Sequence, residues 1–124
     1  MFRASLALIA LALATAPAAE HKSFTIQSNQ IAWQAMHIPG FPEGLQQRPL
    51  HDNKDNKLQS ALVKYPKGFR EPRHYHTTCG HSIYLLKGRI RTPDGDLVPG
   101  SFTYAAVNER HGPFVAVEES EILF

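Results

Sequence analysis

The amino-acid sequence predicts an all-β fold in a single domain. After the N-terminal segment, short β-prone runs alternate with breaks that contain Gly and Pro, and no long stretch has the period of an amphipathic helix. With 124 residues, 43% of them hydrophobic, the chain can form one core but is too short for two domains. Many short strands separated by turns are typical of a β-sandwich or a closed barrel.

The predicted strands follow the turn residues in order. They lie at residues 24–27, 31–36, 58–65, 81–86, 101–107, 113–117 and 121–124. Pro39–Gly44 predicts an irregular loop, and His51–Lys57 predicts a polar turn. The last predicted strand, residues 121–124, ends in apolar residues with no polar tail. We therefore expect it to pair within the sheet or across a dimer interface. Such an end is also what the truncation of a longer chain would produce.

The first 18 residues predict a signal peptide. Arg3 precedes an uncharged apolar run from Ala4 to Ala14, and Ala16-Pro17-Ala18 places small side chains where a signal peptidase reads them. The run is too short to span a bilayer, although a retained membrane anchor is the alternative. We therefore expect cleavage after Ala18, a mature domain of residues 19–124, and a secreted or periplasmic protein without membrane attachment.

Charge and cysteine content limit the possible partners and the sources of stability. The chain has 13 Lys and Arg against 11 Asp and Glu, and loss of Arg3 with the signal peptide leaves 12 against 11. This balance indicates neither a nucleic-acid nor a membrane-surface partner. Cys79 is the single cysteine, which excludes an intramolecular disulfide. A metal bound only by the folded chain would supply stability instead.

Four of the seven histidines have the spacing of a metal site. His74 and His76 are one residue apart, so on a strand both imidazoles lie on the same face. His81 follows a short stretch that can turn back, and a neighbouring strand can bring in His111. Imidazole binds Zn, Cu, Fe, Ni and Mn, so the pattern predicts one divalent transition metal of open identity. The alternative is a set of surface histidines on a barrel rim.

The other three histidines have no such pattern, and we assign them no role. His21 follows the predicted cleavage site, and His51 lies in the predicted polar turn beside Asp52, so we expect both to be solvated. His37 precedes Pro39 and has no partner at metal-ligand spacing.

The segment from Gly68 to Gly88 resembles the first motif of the cupin superfamily, G-x5-H-x-H-x3-4-E-x6-G. Every spacing fits, but His81 stands at the glutamate position. Around Pro99-Gly100 the chain resembles a degenerate second motif, in which His111 matches the ligand. The resemblance covers about residues 33–124 and is closest to small single-domain cupins similar to the C-terminal domain of the anti-sigma factor ChrR and to acetylacetone-cleaving dioxygenases.

This resemblance implies a double-stranded β-helix, also called a jelly-roll barrel, with a metal held by His74, His76, His81 and His111. Loss of the glutamate leaves neutral ligands and so favours an anionic or enolate-like substrate at the metal. In a second arrangement three imidazoles bind and His81 is not a ligand. Cys79 is a further candidate ligand or oxidation site, or else a small apolar strand residue.

The function that this implies is a metal-dependent dioxygenase or related oxidoreductase acting on a small molecule. The alternatives are a ligand- or metal-sensing cupin module and a metal-free barrel with a lectin-like or isomerase role. Which of these classes applies, and whether the protein is an enzyme, the sequence leaves open. We also expect a homodimer, because pairing through an edge strand would cover an exposed sheet edge.

Residues beside the histidines are less clearly assigned. Strand alternation suggests substrate-pocket walls, with plain core as the alternative, for Ile83, Leu85, Phe102 and Tyr104. Glu71 lies three residues before His74, so on a strand it should face away from the site. Glu109 and Arg110 either reach a substrate or form a solvated loop tip.

Overall fold

A computed structural model describes residues 22–124 of the chain, so the predicted signal peptide and His21 lie outside the described residues. Within that range the all-β prediction is confirmed. Ten β-strands and the short 3-10 turn Ser28–Gln30 make up the regular structure. None of the helices in residues 22–124 has the length and apolar character needed to cross a membrane.

The strands form two antiparallel sheets. In chain order they are β1 Gln34–Ala35, β2 Gln46–Asn53, β3 Leu58–Tyr65, β4 Arg70–Glu71, β5 His81–Lys87, β6 Ile90–Thr92, β7 Gly95–Leu97, β8 Phe102–Ala105, β9 Phe114–Ala116 and β10 Ser120–Leu123. The larger sheet has the order β1-β2-β3-β10-β5-β8, and the smaller has the order β4-β9-β6-β7. Neighbouring strands in both sheets run antiparallel.

The core lies between the two sheets. Val63, Leu85 and Ile122 from the larger sheet pack in one cluster with Phe69 and Ala116 on the side of the smaller sheet. Leu85 and Ile122 are almost completely shielded from solvent. Because burial is the main favourable term in folding, this cluster holds the sheets face to face and fixes the space between them.

Strand β2 was not predicted. Its Pro49 argues against a central strand, since proline has no N–H for the ladder. The structure accommodates Pro49 because β1 pairs only with Gln46 and Gln47, and because the register shifts between Pro49 and His51. His51 therefore lies inside a strand, and the turn is confined to residues 54–57. Residues 24–27 are not a strand, and of residues 31–36 only Gln34–Ala35 is a strand.

The last strand pairs within the larger sheet, as one of the two expectations for it requires. β10 lies between β3 and β5. Beyond its end, Phe124 exchanges both backbone hydrogen bonds with Ala61, with N···O distances of 2.8 and 3.0 Å. This pairing places the Phe124 ring next to His81, with ring centroids 5.0 Å apart.

Candidate metal centre

Backbone pairing brings the distant His111 to His74. The two residues form an isolated antiparallel bridge, with N···O distances of 3.0 and 2.9 Å in the two directions. A second backbone hydrogen bond joins the same two segments, because the Asn108 N–H donates to the His76 carbonyl at 2.7 Å. His81 comes from the larger sheet as the first residue of β5. The four imidazoles therefore meet where the two sheets face each other.

The ring nitrogens of the four histidines lie close enough together to hold one metal ion. Their potential ligand atoms all lie within 4.8 Å of one another, and the His81 and His111 Nε2 atoms are 3.4 Å apart. Ring centroids of adjacent imidazoles are 4.2 Å apart for His74 and His111 and 4.6 Å for His76 and His81. The structure thus brings together all four residues that the sequence singled out.

Two carbonyls orient the imidazoles of His74 and His111. His74 Nδ1 lies 2.8 Å from the Pro72 carbonyl, and His111 Nδ1 lies 3.1 Å from the Glu109 carbonyl. A carbonyl oxygen only accepts, so in both neutral rings Nδ1 carries the hydrogen and Nε2 presents its lone pair. Such a contact behind the ring is how proteins usually fix the tautomer of a metal-binding histidine.

The other two imidazoles have buried nitrogens without partners. His76 Nε2 and His81 Nδ1 are shielded from solvent and make no hydrogen bond in the described residues. A buried nitrogen left unpaired costs free energy, and at His76 a metal ion would remove that cost. The donor set therefore fits a divalent transition metal with an affinity for imidazole.

The electrostatics keep the site in the form that binds metal. Burial, together with the neighbouring imidazoles, lowers the pKa of His81 to about 4. Burial and the charges of His74 and His111 also lower the pKa of His76 below its usual value. Both rings are therefore neutral near pH 7, and only a neutral imidazole can donate a lone pair to a metal.

Stability of the metal-free protein should fall as the pH is lowered from about 6.5 to about 4. In this range the unfolded chain takes up a proton at His81 that the folded chain resists, since the folded pKa is about 4. Urea unfolding of chelator-treated protein at pH 4.5 and pH 7 measures the effect. His81→Gln should have a shallower pH dependence, and an unchanged slope in that variant would show that His81 does not contribute.

Glu71 lies at the site, contrary to the expectation that it faces away. Its side chain is 8% exposed, its Oε1 lies 3.5 Å from His74 Nε2, and its Oε2 accepts a hydrogen bond from the Tyr65 hydroxyl at 3.0 Å. The alternation argument failed because β4 ends at Glu71 and the chain bends at Arg73 before reaching His74. Pro72 between them was the signal in the sequence, since it disfavours a continuous strand.

Burial changes the pKa values of both Glu71 and Tyr65. It raises the pKa of Glu71 above its usual value, although the Tyr65 hydrogen bond acts in the opposite direction. Burial also raises the pKa of Tyr65 well above its usual value, and the neighbouring Glu71 charge adds to the effect. Tyr65 is therefore a neutral hydroxyl that donates to Glu71.

His74, His76 and His81 line a cavity of about 560 Å³ between the sheets. Its walls are mainly apolar, with a polar group of Gln47, Asp52 and Gln59 among the lining residues. His51 also lines it and is half-buried, which corrects the expectation of a solvated histidine. A cavity of this size suits a small organic molecule.

The four residues that were predicted as pocket walls lie in different places. Ile83 lines the cavity, whereas Leu85 is fully buried in the core behind it. Phe102 and Tyr104 are 65% and 63% exposed and do not line that cavity, which corrects their assignment. They face outward because the opposite face of β8 carries Ala105, which pairs with His81. Tyr104 instead borders a separate groove that also reaches His111.

The remaining candidates lie at the surface. Cys79 is exposed in the loop before β5 and is outside the group of ligand atoms found in the described residues, so it is not a buried strand residue. Glu109 and Arg110 are exposed, and the Arg110 guanidinium lies 5.0 Å from the Tyr75 ring centroid. His37 is exposed and contacts Glu43 at 2.6 Å.

Solved structures of low sequence identity share this fold. The chain is similar to a candidate acetylacetone dioxygenase from Methylibium petroleiphilum, with 22% identity, a TM-score of 0.70, and coverage of 84% of this chain and 76% of that one. It is also similar to an acetylacetone dioxygenase from Acinetobacter johnsonii, with 19% identity, a TM-score of 0.63, and coverage of 88% and 75%.

A third similar structure is the anti-sigma factor ChrR of Rhodobacter sphaeroides, solved in complex with SigE. It has 19% identity and a TM-score of 0.60, and the match covers 78% of this chain and 50% of that one. No curated protein matches the chain in sequence. The family model described as the ChrR Cupin-like domain matches residues 21–124, which include every strand and all four clustered histidines. The chain therefore belongs to the ChrR-like cupin family.

Proposed function

We propose that His74, His76, His81 and His111 hold one divalent transition metal and that the protein is a metal-dependent dioxygenase or related oxidoreductase acting on a small molecule. The observation that carries this proposal is the convergence of four imidazoles, three of which line an apolar cavity. When bound, such a metal supplies Lewis acidity and, if it is redox-active, chemistry with O₂. Iron, manganese, zinc, nickel and copper are all compatible with the ligands.

The cavity walls determine how a substrate would be held. None of the lining residues that the structure describes is a lysine or an arginine. An anionic atom of a substrate would therefore find its positive partner at the proposed metal, while Phe41, Ile83 and Phe114 would contact an apolar body and exclude water. This arrangement favours an enolate-like or phenolate-like molecule over a polyanion.

A ligand- or metal-sensing module is the second function that we propose. The match to the ChrR Cupin-like domain over residues 21–124 favours it. In this case the histidines and the cavity would bind without turnover, and binding would change the stability or the contacts of the domain.

Oxygen uptake by the Fe(II)-loaded protein tests the enzymatic proposal. We expect uptake with β-diketone-like or thiol substrates, and we expect the same protein with His76→Ala to fall to the rate of buffer containing Fe(II). Traces from an oxygen electrode give the result directly. Flat traces across the panel from a protein that carries one iron per chain would contradict the enzyme and favour the sensor.

We also propose that residues 1–18 direct export. The uncharged run from Ala4 to Ala14 and the small residues before Ala19 support it. The N-terminal sequence of the protein recovered from the periplasm or medium should begin at Ala19, and recovery of an intact Met1 in the cytoplasm would contradict export.

A further inference from the structure

We infer that Glu71 and Tyr65 form a hydrogen-bond acceptor for a ligand at the histidine site, so that the cavity selects ligands carrying an O–H or N–H next to their metal-binding atom. This inference rests on the proposed metal site. It names the chemistry of the ligand that the site accepts.

The two carboxylate oxygens of Glu71 have different surroundings. Oε2 accepts the Tyr65 hydroxyl at 3.0 Å, which holds the carboxylate in place. Oε1 lies 3.5 Å from His74 Nε2, and the described residues show no hydrogen bond to it. Glu71 also lines the cavity beside His74 and His76. Oε1 therefore lies at the cavity, next to the position where a ligand would sit.

His74 cannot supply the missing donor once it binds a metal. Its Nδ1 donates to the Pro72 carbonyl, so its Nε2 carries a lone pair in the neutral ring. A metal ion takes up that lone pair and leaves Glu71 Oε1 opposite a nitrogen without a hydrogen. A ligand that fills the cavity takes water away from Oε1, and this desolvation costs free energy unless the ligand itself donates a hydrogen bond to the oxygen.

The donor has to come from the ligand side. Tyr65 already donates to Oε2, and no lysine or arginine lies among the described lining residues. The complementary ligand is a chelating mono-anion that keeps one O–H, such as singly deprotonated catechol or a singly deprotonated enediol. An ether oxygen in the same place would set two acceptors against each other and would bind more weakly.

A pair of probes that differ in this hydrogen tests the inference. Catechol and 2-methoxyphenol both offer two adjacent oxygens, but the second replaces one O–H by O–CH₃. We would measure the dissociation constant of each by calorimetry on the Zn(II)-loaded full chain, and compare the wild type with the double variant Glu71→Met, Tyr65→Phe. Removing both partners avoids leaving either one buried and unpaired.

We expect the catechol preference of the wild type to exceed that of the double variant at least tenfold, because hydrogen bonds to charged groups discriminate by about this factor or more. Glu71→Gln, which keeps one acceptor oxygen, should retain part of the preference. Glu118→Met, a similar change at a residue that is 62% exposed beside Arg89, should retain all of it.

The same preference in the wild type and the double variant would overturn the inference. If the double variant does not fold, the two single variants Glu71→Gln and Tyr65→Phe replace it. An unchanged catechol preference in both single variants would overturn the inference equally. Zinc content, measured first, separates this failure from that of the metal site, because a wild type that holds no zinc would overturn both.

Discussion

Replacing His76 by alanine is expected to remove the bound metal, with a loss of affinity of at least about 100-fold. The His76 Nε2 atom is buried and has no hydrogen-bond partner among the described residues, and the proposed metal would supply that partner. His111→Ala should behave in the same way, because its Nε2 faces the same point. Elemental analysis of protein purified without chelator should show about one metal ion per chain in the wild type and little in either variant.

Thermal unfolding provides a second measure of the same change. At free metal 100 times above its dissociation constant, binding to the folded chain adds about 2.7 kcal/mol of stability. Wild type should therefore gain in melting temperature when metal is added, whereas His76→Ala should not. His37→Ala, at an exposed histidine outside the cluster, is the matched control and should keep both metal and stabilisation. Metal retained in His76→Ala and in His111→Ala would refute the site.

Substitution of His81 is expected to change which metal is preferred. His81→Glu restores the carboxylate that the cupin motif usually has at this place and adds a negative charge to a ligand set that is otherwise neutral. Carboxylates suit Mn(II), whereas imidazole suits Zn(II), Cu(II) and Ni(II). We expect the affinity ratio of Mn(II) to Ni(II) to rise by about 10- to 100-fold, as measured by competition with a metallochromic indicator.

His81→Ala separates the two arrangements that the sequence leaves open. If His81 is a ligand, this variant should bind metal about 10- to 100-fold more weakly than the wild type. Unchanged affinity and an unchanged Mn(II)-to-Ni(II) ratio in both variants would show that only three imidazoles bind. His81 would then be a wall residue, packed against Phe124.

The histidine cluster could largely be predicted from the sequence because three of its four members lie within eight residues, whereas His111 depended on the resemblance to the second motif. His74 and His76 share a face by alternation, and their spacing from Gly68 and Gly88 matches a known motif. Glu71 could not be placed in the same way, because alternation holds only along an unbroken strand and β4 ends before Pro72. The contact of Glu71 with Tyr65 joins the two sheets and depends on the tertiary fold.

Strands rich in apolar and β-branched residues were mostly predicted, but residues 24–27 alternate in the same way and form no strand. β2 has a polar sequence with little β-strand propensity of its own. It forms a strand because it pairs with β3 and lines the cavity. The alternation of side chains also divides a strand into two faces but does not show which face is buried. On β8 the large Phe102 and Tyr104 point outward, while the small Ala105 lies opposite His81.

A crystal structure of protein purified without chelator, with anomalous data collected at the absorption edges of the candidate metals, tests the central claim most directly. We predict a single anomalous peak per chain, bound by the Nε2 atoms of His74, His76 and His111, with the His81 imidazole completing the set. A peak at another place, or no peak between these imidazoles in metal-supplemented crystals, would contradict the claim that the four histidines form a metal centre.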